Sequence, residues 1–368
     1  MRVLGFMTGT SLDAVDMAVL DTDGHEIQGF GPAGDRKLTD PTRDLLLEAT
    51  RQALGWVRGS PPPPIFAEAE RVVAEEHFAA ADEFLRANGL AWGDLDLIAM
   101  HGQTVLHERP TVQRVGRTVQ LGDGALLARM IGRPVAFDFR TADVAVGGEG
   151  APLAPIYHLA RMRASRLAAP AAALNLGGVA NITVWTGGEE MVAFDTGPAN
   201  GMIDLLMQAR GAGRYDPGGR NAAAGTVDET ILQGLLQHPY FSAPPPKSLD
   251  RFDFSLEAVA DLSLQDAAAT LVAFTAEALR LGFEQVDVQP SVLVACGGGR
   301  HNPVLMRAIA ERLPFPLEPA EALGWRGDSI EAEACAFLGA RCAQGLPISF
   351  PSTTGVKQPM TGGRIVQP

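Results

Sequence analysis

Four loops concentrate the groups that can do chemistry: GTSLD (9–13), NLGGVAN (175–181), DTGPAN (195–200) and ACGGGRHN (295–302). Each mixes glycine with Asn, Asp, Ser or Thr. Glycine lets the backbone approach a ligand closely, and consecutive amides can chelate phosphate oxygens. Taken singly, a Gly-Gly pair reads more readily as a tight turn. None of the loops is a Walker A motif, because no GxxxxGK[ST] occurs. Asp195 follows the apolar run Val192-Ala193-Phe194, which puts a carboxylate at a strand mouth beside a Gly-Pro turn. It reads either as a general base or as an Asx-turn or cap. Glu331 stands between Ile330 and Ala332, where an Ala-rich helix that reads as buried begins. A carboxylate there needs a partner or a task. The alternative is a first-turn carboxylate that complements the helix dipole, and Glu333 competes for the same assignment.

Ligands of α/β sheets sit beyond the carboxyl ends of strands, so the elements before these loops decide what they can do. Residues 2–7 and 15–20 read as two short strands joined by a Gly/Thr/Ser turn and followed by a loop. Helical spacing covers 41–59 and 66–88, separated by the four prolines 61–64. A buried strand, 95–100, runs into His101-Gly102, and 119–160 reads as short strands alternating with loops. A strand at 171–176 runs into Gly177-Gly178, and strands at 182–185 and 191–195 flank a Gly187-Gly188 turn; this repeats the opening pattern in kind, which points to a duplicated unit. Helices follow at 264–282, 302–312 and 329–341, with a strand at 292–296. The alternation makes an α/β protein.

The 368 residues are enough for two domains. A formal charge of −13 argues against nucleic acid as a partner. A small anion such as ATP stays compatible, since amides and a divalent metal can hold phosphate. No apolar run reaches the length of a membrane helix, and the N-terminus has no signal-peptide pattern. Cys296, Cys335 and Cys342 make neither a disulfide framework nor a zinc pair. A reduced, cytoplasmic, soluble protein is expected.

The ordered set of segments resembles the actin/Hsp70/sugar-kinase ATPase superfamily, and within it the anhydro-N-acetylmuramic acid kinases. The segments are MTGTSLDAVD (7–16), HGQT (101–104), QLGDGALLA (120–128), DFRTADVAVGGEGAPL (138–153), NLGGVANIT (175–183), FDTGPAN (194–200), PPPKS (244–248), CGGGRHNPVLM (296–306) and IEAEACAFLGAR (330–341). The resemblance spans nearly the whole chain. It implies a two-domain actin-like ATPase (ribonuclease H-like) fold with ATP and sugar in the interdomain cleft. The domains expected are 1–134 and 135–350, with a tail, 351–368, that returns to the first. It also implies hydrolysis of the 1,6-anhydro bridge of anhydro-N-acetylmuramic acid coupled to phosphorylation of O6 by ATP, and a homodimer.

The same resemblance implies roles. Asp195 is the catalytic base and Glu331 assists at the same water. The first loop, with Gly9, Thr10, Ser11, Leu12, Asp13, Ala14, Val15 and Asp16, holds the β- and γ-phosphates, and Asp13 holds Mg2+ through water. Asn175, Gly177, Gly178 and Asn181 form the second phosphate hairpin. Gly297, Gly298, Gly299 and Asn302 form the adenosine loop. The sugar side comes from His101, Gln103 and Thr104, from Asp138, Arg140 and Asp143, and from Gly150, Ala151 and Pro152. Arg140 matches a lactyl carboxylate by its fork; an internal ion pair with Asp138 or Asp143 is the alternative. The chain departs from the family pattern at Thr8 (Ser), at Ala14 (Gly, so strained if φ is positive there), and at 249–252, where only Arg251 carries over. Rival readings are a simple hexose or acetamido-sugar kinase and a non-catalytic, actin-like nucleotide switch.

Overall fold

The computed structural model describes residues 1–368 except Thr10, Val112 and 250–252. Thr10 and Arg251, both singled out by sequence, therefore lie outside the described residues. The chain forms two compact units: 1–164 together with 331–368, and 165–330.

The first unit is built on a sheet of β1 (Arg2–Thr8), β2 (Ala14–Thr22), β3 (Ile27–Lys37), β4 (Leu97–Met100), β7 (Val135–Phe137) and β13 (Arg364–Val366), ordered β13-β7-β4-β1-β2-β3. β1, β2 and β3 form an antiparallel meander, while β1, β4 and β7 run parallel. A separate ladder pairs β5 (Gln103–Glu108) with β6 (Arg117–Leu121). The second unit holds β8 (Ala171–Leu176), β9 (Val179–Gly187), β10 (Glu190–Pro198), β11 (Leu293–Cys296) and β12 (Leu317–Pro319), ordered β10-β9-β8-β11-β12. Here too the first three strands form an antiparallel meander, and β8, β11 and β12 are parallel. Each unit thus has the same meander-then-parallel sheet, the ribonuclease H-like topology. Its duplication is the actin-like fold that the repeated strand-turn-strand pattern anticipates.

Local chemistry explains most elements. The helix Asp40–Leu54 starts at Thr39, whose side chain accepts from the Thr42 amide. The helix Pro303–Ala310 has proline at its first position and Asn302 as its cap. The long helix Leu264–Val286 starts at Ser263, whose hydroxyl accepts from the Asp266 amide, and buries an Ala-rich face against the second unit's core.

Several sequence expectations are corrected. The region after residue 24 is not a loop: β3 contains Gly29, Gly31, Pro32 and Gly34, which disguise it, and an edge strand tolerates them because one side needs no partner. The block 119–160 contains the helices Gly124–Ile131, Thr141–Ala145 and Pro155–Ala164. The units do not part at 134/135. β7 pairs in parallel with β4 and its partner β13 comes from the tail, so 135–164 and 331–350 pack with the first unit.

Candidate functional site

Asp195 lies in β10, buried at 7% exposure. In register it stands opposite Asn181 of β9, Asn181 opposite Asn175 of β8, and Asn175 beside Cys296 of β11. Residues paired this way point to one face of a sheet, so one row across four strands carries a carboxylate and two carboxamides. The row lies at the end of the sheet where β8, β10 and β11 finish.

Three of the four glycine loops meet at that end. The Ala199 and Gly201 amides donate to the Gly178 carbonyl at 3.0 and 3.1 Å, and the Asn200 amide donates to the Gly177 carbonyl at 3.1 Å. The hairpin 177–178 is therefore locked to the start of the helix Asn200–Ala209. Gly297 is left-handed (φ +75°), and a Cβ there would sit 2.4 Å from the Asn175 Oδ1. At Gly298 a Cβ would meet nothing within 4 Å, and at Gly177 and Gly178 nothing closer than 3.6 and 4.0 Å. The fold does not demand glycine at these three positions, so their open backbone is room for something else. Asn302 is different: its Oδ1 accepts from the Val304 and Leu305 amides, which makes it a helix cap.

The surroundings of Asp195 include residues the sequence reading passed over. The Leu249 amide donates to its Oδ2 at 2.7 Å, and the Asp195 amide donates to the Lys247 carbonyl at 3.0 Å. The Tyr240 hydroxyl donates to its carbonyl. The carboxylate is engaged by an amide 54 positions away. Lys247 ties the clamping segment together by donating to the Tyr240 and Ala243 carbonyls, both at 2.9 Å, and burial pushes its ammonium down to about 8. The signal was the PPPKS run at 244–248. A second overlooked residue is Arg300. It donates to the Gly297 carbonyl (2.9 Å), to Asp328 (2.7 Å) and to Glu321 (2.6 Å), and so staples the third glycine loop.

In the first unit, the turn 9–13 closes with the Leu12 amide donating to the Gly9 carbonyl. The left-handed residue is Leu12 (φ +54°), not Ala14, and its side chain is buried in a hydrophobic cluster that holds this conformation. Val15 is a buried strand residue, while Ala14 and Asp16 lie in β2 at intermediate exposure. Asp13 is exposed, and its Oδ1 accepts from the Ser11 hydroxyl at 2.5 Å.

The sugar-side candidates also lie in the first unit. Buried His101 makes a 2.8 Å contact from Nδ1 to the Gly102 carbonyl, and its Nε2 accepts from the Arg140 Nε at 3.0 Å. Burial, then the charge of Arg140, push its pKa down to about 3, so the ring is neutral. Arg140 also donates to the Gly150 carbonyl at 2.6 Å. The two carboxylates weighed as its ion-pair partners are engaged elsewhere: Asp138 with Thr141 and Arg364, Asp143 with the Gly150 amide and Thr354. Asp143 is 1% exposed, which leaves it a structural rather than a contacting role. Gln103 is 1% exposed, and its Oε1 has no hydrogen-bond partner among the described residues. Thr104 accepts from Gln120 at 3.3 Å. Ala151 precedes buried Pro152 through a cis bond. A pocket in this unit is lined by His101, Gly102, Gln120, Asp138, Thr141 and Arg364, among others.

Glu331 opens the helix Ile330–Ala343 and is exposed, whereas Glu333 is fully buried and accepts from the Tyr157 hydroxyl. The argument that a buried carboxylate needs a partner therefore belongs to Glu333, which has one. Glu331 belongs to the first unit and Asp195 to the second. Among the described residues no group of three or more His, Cys, Asp or Glu can hold a metal, and no helix is long and apolar enough to cross a membrane.

Comparison with known proteins gives a consistent result. The sequence model of the family "Anhydro-N-acetylmuramic acid kinase" matches residues 1–368. A relative of that name from Phenylobacterium zucineum is 69% identical over 368 residues, covering all of both chains. One from Caulobacter vibrioides is 69% identical over 366 residues, covering 100% of this chain and 99% of its own. One from Brucella anthropi is 50% identical over 365 residues, covering 99% and 98%.

Proposed function

The chain belongs to the anhydro-N-acetylmuramic acid kinase family, and from that premise we infer that it is an ATP-dependent sugar kinase of cell-wall recycling. It opens the 1,6-anhydro bridge of 1,6-anhydro-N-acetylmuramic acid and phosphorylates O6. The products are N-acetylmuramic acid 6-phosphate and ADP. The observation that carries the reading to particular residues is the row Asp195–Asn181–Asn175 at the sheet end where the hairpin 177–178 and the loop 297–299 meet.

Asp195 accepts a proton from water as the water oxygen bonds to the anomeric carbon. The C1–O6 bond breaks, and O6 bonds to the γ-phosphorus as the bond to the β-phosphate oxygen breaks. The Leu249 amide, the Lys247 carbonyl and the Tyr240 hydroxyl hold Asp195 for this task. Placement of this kind matters because a misplaced base loses rate steeply. Glu331, exposed at a helix start in the first unit, is the assisting carboxylate. In the second unit, the open backbone at Gly177 and Gly178 receives phosphate oxygens and that at Gly298 receives adenosine. In the first unit, the turn 9–13 receives the β- and γ-phosphates. Arg140 faces the lactyl carboxylate.

Magnesium fits the exposed oxygen donors of that turn, Asp13 and Ser11, as an ion that keeps several waters and needs no protein cage. When bound, it neutralises charge on the phosphates. The reading includes a cytoplasmic homodimer; two of the three cysteines are buried, none is bridged, and the dimer rests on the family resemblance. The simple hexose kinase and the nucleotide switch are disfavoured by the full-length family match. The test is ATP turnover with and without the anhydro sugar, with product mass. The 6-phosphate must appear only with the sugar; steady ATP hydrolysis without it would overturn the reading.

A further inference from the structure

A buried hydrogen-bond chain runs from the C-terminal segment to the sugar-side arginine. Thr354 ends the short helix Pro351–Thr354 and is fully buried. Its hydroxyl donates to Asp143 Oδ2 at 2.6 Å, and its carbonyl accepts from the Glu149 amide at 2.7 Å. Asp143 Oδ1 accepts from the Gly150 amide at 2.6 Å, and the Asp143 carbonyl accepts from the Gly148 amide at 3.0 Å. The Gly150 carbonyl then accepts from Arg140 Nη1 at 2.6 Å, and Arg140 Nε donates to His101 at 3.0 Å.

We propose that Thr354 is a positioning residue for the sugar subsite: through Asp143 it holds the loop 147–150 in the one conformation whose Gly150 carbonyl aims Arg140. The loop cannot hold itself. Gly147, Gly148 and Gly150 have no side chains to pack, and glycine loses more backbone freedom on ordering than any other residue. It is also fitted closely onto its support. A Cβ at Gly148 would lie 2.2 Å from Asp143 Oδ1 and 2.7 Å from Val356 Cγ1, so the tail and the loop leave each other no slack. Removing the Thr354 hydroxyl leaves one buried carboxylate oxygen without its donor, and the loop must move or admit water to satisfy it. Arg140 then loses the fixed acceptor that selects its rotamer.

This inference rests on the sugar-kinase reading, and its test separates the two. Thr354→Val keeps the side-chain shape and removes the donor; Thr354→Ser keeps the donor. In Thr354→Val the KM for the anhydro sugar is expected to rise about tenfold, the scale of one lost buried hydrogen bond. Its kcat and KM for ATP stay within about twofold, and Thr354→Ser returns the sugar KM close to wild type. A merely structural role would lower thermal stability and move both KM values together. A wild-type sugar KM in Thr354→Val, an equal rise for ATP, or a serine variant as impaired as valine would each overturn the proposal. If valine prevents folding, Asp143→Asn, which retains one acceptor, must raise the sugar KM alone; an unchanged value there is equally fatal. Failure of the wild-type protein to phosphorylate the sugar would instead remove the reading on which the proposal stands.

Discussion

Asp195 occupies a buried strand position whose carboxylate is oriented from outside its own strand. Replacing it by Asn keeps size and leaves an oxygen for the Leu249 amide, but removes the proton acceptor. Turnover of Asp195→Asn should fall on the order of 10²–10⁴ fold while sugar and ATP still bind. Retention of more than about a tenth of the rate, in a normally folded variant, would shift the base to Glu331. The glycine loop allows a sharper comparison. Nothing lies within 4 Å of a Cβ at Gly298, whereas at Gly299 a Cβ would meet the Leu176 Cβ at 2.6 Å. Gly298→Val should fold with an unchanged thermal midpoint and a strongly raised KM for ATP. Gly299→Ala should lose stability first. The same thermal loss in both variants would mean that Gly298 serves the fold and not a ligand.

At the scale of elements, the site loops of the second unit are tied to other segments of the chain. Arg300 staples the loop after β11 through the Gly297 carbonyl, Glu321 and Asp328. Burial works against its charge, but the two carboxylates outweigh this and hold its pKa above the usual value. A lysine cannot fork to three acceptors, so Arg300→Lys should raise the KM for ATP about three- to tenfold and leave the sugar KM in place. Equal effects on both substrates would argue against a local staple. The pairing has a defined acid limit. Hydrogen bonding from Arg300 lowers Asp328 from 3.8 to about 2. Its stabilising effect is complete above the unfolded value and is lost as pH falls through about 2, so the ATP KM of wild type should not track this pair between pH 6 and 9.

The whole molecule distributes its titratable groups unevenly. His77, His101 and His158 are buried and His107 half-buried, all in the first unit. Burial is the leading cause that lowers their pKa values from 6.5, to about 3 for His101 and about 4 for the others. A depressed histidine is neutral in the folded state and takes up a proton on unfolding. The stability that follows is complete above about 6.5 and declines as pH falls toward 4 and 3, each unmatched proton adding about 1.4 kcal/mol of slope per pH unit. Thermal melts from pH 7.5 to 5 should therefore show a falling midpoint, and amide exchange should place the first loss of protection in residues 1–164. A flat midpoint over that range would refute the assignment.

Some of this was legible in the chain alone. The glycine loops and the α/β alternation are local properties: apolar runs, turn residues and caps act over a few positions. Asp195 was expected at a strand mouth, but β10 runs on to Pro198 because β9 pairs with it that far. The ordered motifs likewise pointed to the family over the full length. Other features were not local and could not be read. β3 is a strand because β2 offers it an edge, despite its glycines and Pro32. The unit boundary at 164/165 follows from β7 pairing with β4 and β13, partners far apart in sequence. Glu331 and Glu333 differ by two positions on one helix, yet packing alone exposes the first and buries the second against Tyr157. The amide that holds Asp195 is supplied from 54 residues away, and the hydroxyl that holds Asp143 from 211. Sequence determines which groups are available; long-range pairing decides which of them meet, because a hydrogen bond depends on distance in space and not along the chain.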